Sequence, residues 1–345
     1  MMLYERNTMN VLFFGGSITA GANAAKYENS WAYQVSEYLN NRLSGIKLNF
    51  INAGLSGTGT GIGALRLNEH VLKHKPDMVF LEFAVNDSWN AAKDEEQVLS
   101  SMEYIVRTLL KTNPLIKIVM VYSAMRGWKA CGGVHEKVAR HYQIPSIDIQ
   151  EYMRSIIENG LYSWDDLFAD DVHPNDKGHE LYSQYIINRL EKDWSRYFTP
   201  GHCPDKKLGK CGFGFPRIVG FDGAMFSGEW RFTRALDGWI NIDPAINQSV
   251  LMSRSPGSTI TLPFYGRCIA VYHYISRDSG ICAVRIDDEV ETRKDFFYDT
   301  DGELISFYSR FDLDEGKHNI RIEVFDEKNE RSKDYVLAIA GFMID

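Results

Sequence analysis

Over the first 195 residues, short runs that are apolar on both faces alternate with longer stretches whose apolar residues recur every three or four positions. The apolar runs are VLFF (11–14), LNFIN (48–52), MVFLEFA (78–84), IKIVMVYS (116–123) and a short PSIDI (145–149). Rich in Val, Ile and Phe, they predict strands of a parallel sheet covered on both sides. The periodic stretches predict helices over about 30–44, 61–74, 94–112, 132–142 and 176–196. Asn29-Ser30 and Asp94 supply starts for two of them, and Asp176 a cap for the last. Such alternation gives right-handed crossovers and a three-layer α/β domain. In that architecture ligands bind at the carboxyl ends of the strands.

The pattern changes near residue 198. TPGHCPDKKLGKCGFGFP (199–216) has no period and reads as a linker. Beyond it come short strand-like runs punctuated by Gly, Asp, Asn and Pro: RIVGF, GWINI, STITLPF, RCIAVYHYI, CAVRID, ELISFYS, HNIRIEVF and YVLAIAGFMI. They predict an antiparallel β-sandwich, a jelly roll, over 217–345. The expected organisation is therefore a catalytic α/β domain over 1–198, a linker over 199–216 and an accessory sandwich over 217–345.

Composition narrows the function. The chain has 345 residues, 44% hydrophobic and 24% charged, as two ordinary globular domains would. A net charge of -8 and a pI near 5.7, with no basic block, argue against nucleic acid or anionic membrane as partners. No run approaches the roughly 20 apolar residues of a membrane span. MMLYERNTMN leads into the first strand without an apolar signal core, and five scattered cysteines suit reduced thiols. The expectation is a cytoplasmic protein. Cys203, Cys211 and neighbouring His202 lack a second pair at ligand spacing, so no metal or cofactor is expected.

Four spots carry candidate chemistry, and each has a plain structural reading. Gly15-Gly16-Ser17 ends the first strand, where Ser17 serves either as a turn or cap residue or as a nucleophile. Asn52 to Leu67 is glycine-rich and opens on the same edge, where Gly57 is placed to donate its N–H. Within it Gly59-Thr60-Gly61-Ile62-Gly63-Ala64 matches the dinucleotide fingerprint G-x-G-x-x-A, with Glu82 as the ribose-binding acid. That match starts several residues after the strand and follows the second strand, not the first. Asn86-Asp87 follows the third strand as an amide donor and a loop anchor, or as an Asx turn. Asp170 and His173 lie three apart, so the carboxylate can hold the imidazole Nδ1–H and leave Nε2 free as a base. The two are also metal-ligand types, but no third ligand lies near. All four spots fall on one sheet edge. Together they fit Ser17 as nucleophile, His173 as general base and Asp170 as its orienter.

Gly15-Gly16-Ser17-Ile18-Thr19, the Asn52–Arg66 loop, Asn86-Asp87 and Asp170-x-x-His173-Pro174 resemble, in order and separation, the four blocks of the SGNH (GDSL-type) hydrolases. The resemblance spans about 10–195. It implies a flavodoxin-like α/β/α domain that hydrolyses esters without metal or cofactor. By motif position it implies a Ser17–His173–Asp170 triad and an oxyanion hole from the Ser17 and Gly57 N–H groups and the Asn86 side chain. Two positions depart from the family pattern. Gly16 replaces an aspartate, and Ala84 replaces a glycine, which an extended backbone would tolerate. Thr19 rules out the Gly-x-Ser-x-Gly elbow of ordinary α/β-hydrolases.

The C-terminal part is similar to the jelly-roll modules found beside SGNH domains in carbohydrate esterases. That likeness moves the expected substrate from lipid toward an acetylated saccharide. Trp89, Arg126 and Trp164 are candidate substrate contacts, with Trp128 beside Arg126. Trp230 and Trp239 read as core or interface residues of the sandwich, and His135, His141 and His179 as structural. The expected reaction is O-deacetylation of a carbohydrate through an acyl-enzyme. A lysophospholipase or thioesterase of the same family, and an inactive sugar-binding protein, are the alternatives. Whether the chain forms a homo-oligomer is left open.

Overall fold

β1 (Thr8–Gly15), β2 (Lys47–Gly54), β3 (Met78–Glu82), β4 (Lys117–Tyr122) and β5 (Ser146–Asp148) form one parallel sheet in the order β2-β1-β3-β4-β5. This is the flavodoxin-like order, whose switch point lies between β1 and β3. The computed structural model describes residues 8–210, 212–233, 250–300 and 304–345. The expected strand at 238–242, Trp239 and Cys211 lie outside these residues.

The chain divides into two compact units, Met1–Gly212 and Phe213–Asp345. In the first, every residue of β3 and β4 is buried, as strands covered on both faces must be. One layer packs Phe13, Trp31, Phe80, Val119, Tyr182 and Ile186 into a core, with Phe13 stacked on Phe80 at 5.0 Å. The predicted helices form, with Ser30 and Asp94 as caps. The last helix is capped by Asn175 rather than Asp176. Asp176 instead accepts from the Ala25 N–H and the Asn29 amide at 2.8 Å each.

Among the described residues, two helices of eight residues or more appear where none was expected. Ile149–Glu158 starts directly after β5, its Asp148 cap accepting from the Glu151 N–H. Ala84–Ala91 starts where the third strand was expected to continue, so Ala84 is helical rather than extended. Alanine suits that position better than the family's glycine.

The stretch expected as a linker over 199–216 is fastened to the first unit as far as Lys210. Glu103 accepts from the N–H groups of Leu208 and Gly209 and from the Tyr142 hydroxyl, and Arg107 donates to the Pro204 carbonyl.

The second unit is an antiparallel β-sandwich. One sheet runs in the order Thr292–Asp295, Ile281–Ile286, Gly316–Val324, Thr259–Gly266, Met225–Ser227. The other runs Leu304–Arg310, Ile269–Ile275, Leu337–Ile344, Val250–Ser253, Arg231–Thr233. Inward residues of both sheets, among them Leu262, Ile269, Val284, Ile322 and Phe342, share one core. Trp230 packs against it and donates its indole N–H to backbone carbonyls, as a structural residue does.

Candidate active site

Ser17 is the first residue of a short helix, Ser17–Ala20, that follows β1 through the Gly15-Gly16 turn. Gly15 has no room for a side chain, because the Thr19 side chain and the Glu82 backbone cover it. The turn therefore needs glycine for close approach. Ser17 Oγ lies 2.8 Å from His173 Nε2, and His173 Nδ1 lies 2.7 Å from Asp170 Oδ2. The other Asp170 oxygen accepts from the N–H groups of Val172 and His173 at 2.8 and 2.7 Å. Partial burial raises the Asp170 carboxyl, but the His173 ring and these N–H groups outweigh it and leave the group below its ordinary value. The aspartate thus stays ionised, and the geometry keeps the imidazole proton on Nδ1.

The loop bearing Asp170 and His173 is braced from several sides. Ala169 N–H donates to the His173 carbonyl, and Asn175 N–H to the Leu167 carbonyl. The Trp164 indole donates to the Asp170 carbonyl at 2.8 Å, and its ring stacks on Phe168 at 3.8 Å. Trp164 is only 9% exposed. Trp164 therefore braces the loop that carries Asp170. Arg126 is drawn into the same brace. Its guanidinium pairs with Asp165 and with Asp171, and its N–H donates to the Asp171 carbonyl. Of the three candidate substrate contacts Trp89 and Arg126 each present a side chain 48% exposed, but the Arg126 guanidinium is engaged by the two aspartates. Trp89 stands three residues after Asn86 on one helix, hence on the same face.

Gly57 has a left-handed backbone (φ 74°) with open space where a side chain would be. The adjoining loop is held by Leu55 N–H to the Gly15 carbonyl and by Arg66. Arg66, fully buried, donates to the carbonyls of Gly15 and Ala53 at 2.8 and 2.7 Å and so joins the ends of β1 and β2. Burial lowers its guanidinium to about 9. Asn86 lies over Gly16, where any Cβ would collide with the amide oxygen. Gly16 thus leaves Asn86 the space it occupies next to Ser17.

Asp87 is fully buried. It accepts from the Thr60 N–H at 2.9 Å and from His135 Nε2 at 2.8 Å. Its carboxylate therefore occupies the N-terminus of the helix Thr60–His70. A pyrophosphate on the Gly59–Ala64 loop would meet that negative charge, and Glu82 is buried beyond reach of a ribose. This overturns the dinucleotide reading. Among the described residues no three His, Cys, Asp or Glu side chains gather as metal ligands. His179 is buried and structural, its imidazole lowered to about 4 by burial.

Residues 13–181 match the model described as the GDSL-like Lipase/Acylhydrolase family. This part of the chain is a GDSL-like acylhydrolase domain. The protein accordingly stands among the carboxylic ester hydrolases. The hydrolase domain is similar to an acetylxylan esterase of Geobacillus stearothermophilus, 25% identical over 167 residues, covering 42% of this chain and 74% of that protein. It is also similar to an arylesterase of Vibrio mimicus, 21% identical over 53% of this chain and 88% of the other. Among solved structures, a two-domain esterase active on acetylated mannans shares the fold with a TM-score of 0.83. It is 23% identical, over 98% of this chain and 91% of that one.

Of the residues singled out in the sequence, the structure joins Ser17, His173 and Asp170 by hydrogen bonds and sets Asn86 against Gly16. The sequence did not reveal Thr19 as the Glu82 partner, the Asp87–His135 pair, or the contacts of Arg66. Each of these depends on contacts between residues far apart in sequence.

Proposed function

We propose that the protein removes acetyl groups from an O-acetylated saccharide through an acyl-enzyme on Ser17. The hydrogen-bonded chain Ser17 Oγ–His173–Asp170, at 2.8 and 2.7 Å, carries this reading. His173 Nε2 takes the Ser17 proton as Oγ attacks the acetyl carbonyl, while Asp170 holds the ring and stabilises the imidazolium. The oxyanion forms beside the Ser17 N–H, the Gly57 N–H and the Asn86 side chain. Ser17 N–H is the first of its helix and has no intrahelical acceptor. The imidazolium then protonates the leaving sugar oxygen. Water, activated by the same Nε2, attacks the acyl-enzyme and releases acetate.

The acetyl group and the sugar rest on the relatives, whose reported substrates are acetylated xylan and mannan. Trp89 is the side chain best placed to stack on a sugar ring, being exposed and on the same helical face as Asn86. The test compares p-nitrophenyl acetate with longer acyl esters, then acetylated xylo- and manno-oligosaccharides. The expected result is preference for acetate and release of acetate from an oligosaccharide. Preference for long acyl chains would move the assignment to a lipid esterase or thioesterase.

A further inference from the structure

Glu82 closes the central strand β3 directly beneath the turn that carries Ser17, and it is 1% exposed. It holds that turn twice. Its carbonyl accepts from the Gly16 N–H at 3.2 Å, and its Oε2 accepts from the Thr19 hydroxyl at 2.9 Å. Its other carboxyl oxygen, Oε1, is buried without a hydrogen-bond partner, and so is the Ser123 hydroxyl beside it at the end of β4. Among the described residues no lysine or arginine pairs with this carboxyl. The titratable groups near it are His135, already bound to Asp87, and Tyr182, whose hydroxyl accepts from the Ala124 N–H.

A buried carboxylate without a cationic partner is costly, whereas a neutral acid in the same place is not. We propose that Glu82 is a neutral carboxylic acid that positions the nucleophile, accepting from Thr19 through one oxygen and donating to Ser123 through the other. One proton then satisfies both unpartnered atoms. The group becomes a strut from the central strand, through Thr19, to the helix whose first residue is Ser17. Burial, the largest influence on this carboxyl, raises its pKa above the ordinary glutamate value, in the direction the proposal requires.

The kinetic part rests on Ser17 as nucleophile, while the protonation part does not. Infrared difference spectra of the full chain, Glu82→Gln against wild type, read the proton directly. At neutral pH the wild type should show a protonated-carboxyl band that Glu82→Gln lacks. Glutamine reproduces the acceptor and the donor, so its kcat should stay within about threefold of wild type. Glu82→Leu and Thr19→Val each break the strut and should lower kcat by about 10- to 100-fold with little change in KM, as small displacements of a reacting group do. Stability gives a further readout. The folded pKa lies above the unfolded one, so this group's contribution is full below the ordinary carboxyl range and is lost as pH rises through the folded value. Glu82→Gln should flatten that decline. A missing band, or Glu82→Gln as impaired as Glu82→Leu, would overturn the neutral acid. Wild-type kcat in Thr19→Val would overturn the strut. If Glu82→Leu does not fold, the glutamine and valine variants still decide. Failure of the Ser17 reading would show separately, as activity surviving in Ser17→Ala.

Discussion

At the scale of single residues, the site depends on absent side chains as much as on present ones. Gly15 leaves room for Thr19, and Gly16 leaves room for Asn86. Gly16→Ala should therefore push Asn86 away from the proposed oxyanion. The expected result is a fall in kcat on p-nitrophenyl acetate of about 10- to 100-fold with little change in KM, since one oxyanion donor is worth about 10²–10³. Unchanged kcat would show that Asn86 does not act there. Local spacing made the main candidates legible in sequence: Asp170 and His173 are three apart, and Ser17 follows two glycines. The roles of Trp164 and Arg126 are not legible in the same way. An aromatic or arginine near a functional loop looks the same in sequence whether it faces substrate or braces the loop. Here Trp164 holds the Asp170 carbonyl and Arg126 pairs with Asp165 and Asp171.

At the scale of elements, three structures converge on one buried carboxylate. Asp87, on the helix Ala84–Ala91, receives the Thr60 N–H of one helix and His135 of another. It ties the Gly57 loop to the helix that carries Asn86. Asp87→Ala leaves the Thr60 N–H and His135 without their acceptor. It should cost about 3–5 kcal/mol of stability, the usual result of breaking a buried pair. Urea unfolding measures this, and a loss under about 1 kcal/mol would show that the pair contributes little. Strand positions were legible because both-face apolar runs have one meaning in an α/β chain. The helix Ile149–Glu158 was not separated from β5, because Ile149 continues that strand's apolar run. Its own apolar positions, Ile149, Met153 and Ile156, do carry the helical spacing.

At the scale of the whole molecule, each unit buries a histidine whose imidazole is pushed toward the neutral form. His179 in the first and His273 in the second are each lowered to about 4, by burial. Their unfolded pKa lies near 6.5, so the unfolded chain takes up protons first on acidification. The stability of both units should be full above that value and decline as pH falls from about 6.5 through about 4. Thermal scans across that range test this, and His179→Gln should weaken the slope for the first unit. A flat profile would show that these rings are not held neutral. The two-unit division was legible as a change of period near residue 198. The exact extent of the first unit was not, because Glu103 and Arg107 hold the aperiodic stretch through hydrogen bonds to its backbone, which no side-chain pattern reveals.

The central claim is that Ser17 is the nucleophile. Hydrolysis of p-nitrophenyl acetate by wild type and Ser17→Ala, with matched circular dichroism and unfolding curves, tests it most directly. Wild type should turn the ester over, and the variant should lose at least about 10³-fold with its fold intact. Comparable activity in both proteins would contradict it.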